Sequence, residues 1–200
     1  MSRKILTQAQ ALNALSPYSD KIVKAIQQGF ASLDRLCLWE NGRMIQLEQR
    51  TRCSFIHDAI CNFIRVEFEE ADPNLEIGKW NNIFGMKIQE KLFLRFKKFN
   101  RECAPSLYPS RQTRRYLDQL SIEGIPNEPT LLFVGYVTSK DWSELEDIFV
   151  TCQIQEKIEW KISLFNSEFH TIANSITDDN QIQLPYYQML APALPQPNIG

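Results

Sequence analysis

The stretch Lys91-Leu92-Phe93-Leu94-Arg95-Phe96-Lys97-Lys98-Phe99 alternates side-chain types with a period of two. Successive side chains of a β-strand point to opposite faces, so this pattern predicts a strand with two unlike faces. One face carries three apolar residues, Leu92, Leu94 and Phe96. The other carries two rings and two cations, Phe93, Phe99, Arg95 and Lys97. We expect the first face to be core and the second to mix rings with cations at the surface.

Patterns on either side of this strand predict an α+β fold. Apolar residues at helical spacing predict helices from about Ser19 to Leu36 and from about Thr51 to Ala71, the latter closed by Asp72-Pro73. Further elements are predicted as strands over 75–79, 82–88, 130–137, 145–154 and 157–165, and a short helix over 110–120. An Asn41-Gly42 pair predicts a tight turn. We expect two or three N-terminal helices packed on a mostly antiparallel sheet of about five strands, ending in a meander.

The length of 200 residues suits a single domain, which we place over residues 1–165. Residues 166–200 lose periodicity and are rich in proline, which predicts a polar extension that is ordered in part at best. No apolar run approaches the roughly 20 residues that span a bilayer, and the start lacks the apolar core of a secretion signal. We therefore expect a cytoplasmic protein without a membrane partner.

The five cysteines contain no Cys-x-x-Cys pair. Zinc-finger spacing is therefore missing from the sequence, and we predict buried, reduced thiols and neither a metal nor a cofactor.

Charge is distributed unevenly along the chain. Residues 87–115 contain nine Lys or Arg and two Glu, whereas residues 116–200 contain three basic and twelve acidic residues. Clustered charges reinforce one another's field, so the basic segment predicts a surface that attracts polyanions. The candidate nucleic-acid-binding residues are Arg95, Lys97, Lys98, Arg101, Arg111, Arg114 and Arg115. Alternatively, helices cover the rings of this region and the acidic C-terminal segment neutralises its cations.

A polar group on the second helix is a candidate for chemistry. Ser54, His57, Asp58, Cys61 and Arg65 recur at spacings of three and four. His57 could act as an acid or base with Ser54 or Cys61 as nucleophile, although one helix rarely supplies a complete triad. The alternative is a surface or interface histidine, and the catalytic residues stay unknown at this stage.

A metal-dependent nuclease site is a further possibility. Such sites place an Asp on one strand and Glu-x-Lys on the next, a spacing that Asp147 and Glu159-Trp160-Lys161 satisfy. Glu-x-Lys is also common in charged strands, where it serves ordinary cross-strand pairing.

Four short motifs stand out, namely Arg50-Thr51-Arg52 through His57-Asp58, Leu94 to Lys98, Gln119 to Pro126 and Val134-Gly135-Tyr136. Together they resemble a family of uncharacterised bacterial proteins encoded near small helix-turn-helix regulators of toxin–antitoxin or prophage type. The resemblance covers about residues 45–165 and transfers no catalytic assignment. It implies a bacterial or phage setting and a role as the effector or partner of a regulator.

Together these observations predict a bacterial toxin-like or defence-associated protein that contacts nucleic acid through a central basic strand and helix. One alternative is a non-enzymatic interaction protein that docks an acidic protein partner or regulator on the same face. The second is the metal-dependent nuclease. Whether the protein is an enzyme is left open by the sequence.

Overall fold

A computed structural model of the chain describes residues 3, 5–37, 47–125, 128–155 and 157–165. Within these ranges the helices are α1 (Gln8–Leu15), α2 (Ser19–Cys37), α3 (Gln49–Glu67) and α4 (Arg111–Leu117), with a short 3-10 helix over Ser16–Tyr18. The strands are β1 (Leu75–Trp80), β2 (Ile83–Ile88), β3 (Leu92–Lys98), β4 (Thr130–Thr138), β5 (Leu145–Ile154) and β6 (Lys157–Ser163). The predicted α+β class is confirmed.

The strands form one six-stranded sheet in the order β1-β2-β3-β4-β5-β6. Only β3 and β4 run parallel, and the other neighbours are antiparallel. A parallel pair requires a crossover connection, which the segment from Phe99 to Pro129 supplies with α4 inside it. The mostly antiparallel sheet and the C-terminal meander are confirmed, with six strands in place of about five.

Helices α2 and α3 cover one face of the sheet. Leu92, Leu94 and Phe96 of β3 are buried there, at most 1% exposed, together with Ile60 of α3. The two helices approach closely at Gly29, where a Cβ would stand 2.5 Å from Cγ1 of Ile60. This is the core face that the alternation of β3 predicted.

Helix α4 and its flanking loops cover the other face, so the expected surface of rings and cations is only partly correct. Phe93 and Phe99 are 0% and 1% exposed, and they pack with the fully buried Tyr116 of α4. The Tyr116 hydroxyl donates to the carbonyl of Leu132 at 2.7 Å, which anchors α4 to β4. Because both rings are buried, neither can stack on a nucleic-acid base.

Boundaries differ from the predictions where side chains redirect the backbone. Helix α3 ends at Glu67, four residues before the predicted Ala71, and Asp72 instead accepts hydrogen bonds from Tyr18 and from the backbone of Asn74. Helix α1 was not predicted individually; it begins with a capping box between Thr7 and Gln10. The predicted turn at Asn41-Gly42 and the extension over 166–200 lie outside the described residues. None of the described helices is long and apolar enough to cross a bilayer.

Candidate nucleic-acid interface

Strand β3 is paired on both sides over its first half and on one side over its second half. Strand β4 pairs with it from Leu92 to Lys98, but the register with β2 covers only Leu92 to Leu94. The second half of β3, Arg95 to Lys98, is therefore not paired with β2 among the described residues, although the Phe84 ring of β2 lies 6.0 Å from the Phe96 ring of β3. Three of the seven predicted cations, Arg95, Lys97 and Lys98, lie in this half.

Arg95 is half-buried and packs against α4. Its guanidinium carbon lies 5.5 Å from the centre of the Tyr116 ring, and Nη1 is buried without a hydrogen-bond partner among the residues that the structure describes. Burial lowers the pKa of Arg95, and the phenol of Tyr116 opposes that change. An unpaired buried guanidinium nitrogen costs free energy, which a bound anion would offset.

Lys97 shares the face of Arg95 two residues further along β3, and it is also half-buried. Burial lowers its pKa first, and the neighbouring charge of Arg95 lowers it further. The pKa of His57 on α3 is lowered by burial and then by the charges of Lys97, Arg95 and Lys79. These groups therefore lie close enough together to repel one another's positive charge.

Lys98 points to the opposite side of β3, as strand alternation requires. Its ammonium lies 4.8 Å from the Trp142 ring, and the Arg52 guanidinium lies 6.0 Å from the same ring. Trp142 belongs to the loop after β4, and Arg52 to the first turns of α3. Lys98 is thus separated by the strand from Arg95 and Lys97.

Of the remaining predicted cations, three lie in α4 and one, Arg101, lies in the loop after β3. Arg111 and Arg114 are exposed. Arg115 donates from Nε to the carbonyl of Ser121 at 3.0 Å, and this hydrogen bond holds the loop after α4 against the helix. Arg101, just after β3, lies 4.0 Å from Glu146.

Helix α4 begins at the same end of the sheet as the charged half of β3. Ser110 caps the helix by accepting from the backbone of Thr113, and Gln112 donates to the carbonyl of Asn81 in the β1–β2 turn. Because β2 runs antiparallel to β3, this turn lies at the end of the sheet where β3 terminates. The fold therefore brings Arg111 to the same end as Lys97.

Most of the predicted cations have no nearby carboxylate in the described part of the chain. Of the seven predicted residues, Arg101 alone has a carboxylate oxygen within 4.0 Å among the residues described. The seven do not form one continuous patch, because Lys98 faces the other layer and Arg115 is held by its own loop. Arg111 and Arg114 are exposed and Lys97 is half-buried, and none of the three has a carboxylate oxygen within 4.0 Å among the described residues.

His57 and Cys61 form a close pair on α3, but their ionisation is unsuited to nucleophilic catalysis. The Cys61 sulfur lies 3.6 Å from Nε2 of His57. Burial raises the pKa of Cys61 to about 11, and burial with the nearby cations lowers the pKa of His57. A neutral thiol beside a neutral imidazole is the expected state at pH 7, whereas cysteine nucleophiles act as thiolates.

The residues of the predicted nuclease motif do not come together. The Asp147 carboxylate accepts from the hydroxyl of Ser163 at 2.9 Å, and Ser163 lies four residues along β6 from Glu159. At a strand rise of about 3.3 Å per residue, that offset is about 13 Å. Two oxygens on one Mg²⁺ lie only about 4 Å apart at most. Glu159 instead pairs with Lys157 at 3.4 Å.

The prediction of buried thiols is correct for three of the four described cysteines. Cys61, Cys103 and Cys152 are buried, Cys53 is half-buried, and all four are free. The side chain of Cys37 lies outside the described part of the chain. The described residues also contain no group of three His, Cys, Asp or Glu positioned to hold a metal ion.

Sequence reasoning missed two cations that share a neighbour with the predicted ones: Arg52 lies over the Trp142 ring together with Lys98, and the charge of Lys79 acts on His57 together with that of Lys97. The turn signal Asn81-Asn82 could have placed Lys79 at the end of a hairpin, but not beside α3. Two open surface grooves of about 390 and 530 Å³ lie beside the start of β1, and none of the seven predicted cations lines either of them. The chain matches no protein-family model, and it has no significant match among curated proteins or solved structures.

Proposed function

We propose that this protein contacts the phosphates of nucleic acid through the end of the sheet where β3 terminates, with Lys97, Arg111 and Arg114 as principal contacts. One observation carries the proposal: among the described residues, six of the seven predicted cations have no carboxylate partner within 4.0 Å. Unpaired cations grouped at one end of a molecule raise the local concentration of a polyanion and give up their counterions to it.

The other four cations make contacts within the protein, so we expect each to contribute less to phosphate binding. Arg95 and Arg115 are engaged with Tyr116 and Ser121, so alanine at either position would disturb packing as well as charge. Lys98 lies on the Trp142 side of the sheet and adds to the positive charge there. Arg101 is paired with Glu146, which reduces its attraction for a phosphate. The rings of Phe93 and Phe99 are buried, so the binding that we propose is by phosphate contact and does not use these two rings.

The wider role, a bacterial toxin-like or defence-associated protein acting as effector or partner of a regulator, is supported by the motif resemblance alone. We propose it as the biological setting of the nucleic-acid contact. The protein-docking alternative uses the same cations and is separated from the proposal by the following measurement.

The test is a titration by fluorescence anisotropy against single- and double-stranded DNA and RNA at increasing salt. Phosphate contact predicts a linear fall of log affinity with log salt. In the double variant Arg111→Ala, Arg114→Ala, loss of two contacts should reduce the slope by about 1.4 for single strands and about 1.8 for duplexes. Both side chains are exposed, so stability should change little.

Lys91→Ala is the matched control, because Lys91 is exposed in the same basic segment but lies at the opposite end of β3. Its salt slope should equal that of the unaltered protein. If no nucleic acid binds at low salt, the proposal is wrong and the protein-docking alternative replaces it. An equal loss of slope in Lys91→Ala would also reject the assigned surface.

A further inference from the structure

Tyr108, in the loop between β3 and α4, is an aromatic residue that the fold leaves uncovered. It is 84% exposed, the highest value among the exposed large apolar residues in the described part of the chain. The next value is 56%, for Val66. Covering an aromatic ring is favourable roughly in proportion to the area removed from water, so this ring is free to gain that free energy from a ligand.

The loop holds the ring in a defined place. Pro105 forms a β-bridge with the residue after β3, and the half-buried Leu107 packs against the core on the α4 side of the sheet. Pro109 follows Tyr108 directly and restricts its backbone to extended conformations. Ser110 then caps α4. Because both ends of the segment are fixed, the ring can be ordered on a ligand at a small cost in entropy.

The ring lies beside two of the principal cations of the proposed surface. Arg111 is three residues from Tyr108, so their Cα atoms are at most about 11 Å apart. Arg114 follows Arg111 by three residues on α4, a spacing that places their Cβ atoms about 5 to 6 Å apart. All three side chains are exposed. One aromatic face and two guanidinium groups therefore share a short stretch of surface.

We infer that Tyr108 stacks on an unpaired base of a single-stranded nucleic acid whose phosphates contact Arg111 and Arg114. Proteins that bind single strands combine a positive surface with aromatic rings, because every base has a flat face on which a ring can stack. In a duplex the neighbouring bases already cover these faces. Tyr108 therefore makes the surface prefer single strands. The inference deepens the proposed function and rests on it for the phosphate contacts.

The test removes the ring and the bases separately. Anisotropy titrations compare a labelled single strand, its duplex, and a strand of the same length that carries abasic sites throughout. Tyr108→Ala should weaken binding of the intact single strand by about five-fold or more, as expected for the loss of one base–aromatic stack. The affinities for the duplex and for the abasic strand should not change, because neither presents an unstacked base to the ring.

Tyr108→Phe and Leu120→Ala are the matched controls. Phenylalanine keeps the aromatic face, so Tyr108→Phe should retain the affinity for the single strand. Leu120 is another exposed apolar residue, 44% exposed, but it lies beyond the opposite end of α4, so alanine there should have no effect. The salt slope of Tyr108→Ala should equal that of the unaltered protein, because no phosphate contact is lost. Both positions are exposed, so all the variants should fold.

The outcomes separate this inference from the proposed function. Suppose that Tyr108→Ala binds the single strand as tightly as the unaltered protein, while the Arg111→Ala, Arg114→Ala variant still loses salt slope. The inference is then overturned and the phosphate contact stands. A loss of affinity in Tyr108→Ala that is equal for the intact and the abasic strand also overturns the inference. If no nucleic acid binds at low salt, both proposals are wrong.

Discussion

The two halves of β3 differ in their strand pairing and in the kind of side chain that they carry. Leu92 to Leu94 is paired on both sides, by β2 and by β4, and all three side chains are fully buried. Arg95 to Lys98 is paired only by β4, and three of its four residues are cations that are half-buried. The first half contributes apolar burial to stability, whereas the second half holds charge in a setting where charge costs free energy.

The largest loss of stability is expected for Leu94→Ala, in the half of β3 that is paired on both sides. Leu94 is 0% exposed between β2 and β4, so truncation should leave a cavity and reduce the free energy of unfolding by about 2 to 5 kcal/mol. Urea unfolding followed by tryptophan fluorescence measures the change. Lys97→Ala, three residues along the strand, should differ from the unaltered protein by only about 1 kcal/mol or less. Similar losses in both variants would mean that the halves do not differ as described.

The strand itself was predictable from the sequence because its alternation is local. Leu92, Leu94 and Phe96 lie on one buried face as the period of two requires. The cover over Phe93 and Phe99 was not predictable, because it comes from α4, whose docking depends on Tyr116 reaching the Leu132 carbonyl across the sheet. Charge patterning located the cations, but it could not show which of them are engaged by the fold.

Motif spacing failed for a related reason. The match of Asp147 with Glu159-Trp160-Lys161 required these residues to lie close together on neighbouring strands. The observed register pairs Ile154 with Lys157 and Phe149 with Ser163, so Asp147 lies several residues beyond the position opposite Glu159. The one-residue shift between Cys152 and Gln153 does not account for that distance. The motif counted residue types on two strands without their register, and register decides which side chains meet.

A smaller loss of stability is expected for Gly135→Ala. This variant tests the packing where β4 pairs with the charged half of β3. Gly135 lies opposite Lys97 in the register, and a Cβ there would overlap the ring of Phe99. Phe99 is 1% exposed and has little room to move, so overpacking should cost about 1 to 3 kcal/mol.

The matched control for that variant is Gly78→Ala on β1. A Cβ at Gly78 would make ordinary contacts with the Trp80 ring, the nearest at 3.5 Å. Alanine there should be neutral or stabilise by up to about 1 kcal/mol, since it restricts the unfolded chain. Urea unfolding measures both variants, and a loss in Gly78→Ala equal to that in Gly135→Ala would remove the special role of the Phe99 contact.

The smallest expected effect is a gain in stability in Lys97→Met. Burial and the charge of Arg95 lower the pKa of Lys97 below its ordinary value of 10.5, so the folded state disfavours the ammonium. Below the folded-state pKa, Lys97 is charged in both states and the cost of holding it is fully present. Between that pKa and 10.5 the unfolded state binds more protons, so the stability of the unaltered protein rises with pH. Methionine keeps the apolar stem without the charge.

The variant should therefore be more stable than the unaltered protein at neutral pH, by about 1 kcal/mol or less because the ammonium is only half-buried. The difference should shrink as the pH rises through the folded-state pKa toward 10.5, because Lys97 is neutral in both states only above 10.5. Urea unfolding of both proteins over this range measures it, and other titrating groups cancel in the difference. A methionine variant less stable at neutral pH would mean that the ammonium stabilises the fold. The charged half of β3 would then be a structural element, and its cost could no longer be attributed to keeping a positive site for an anion.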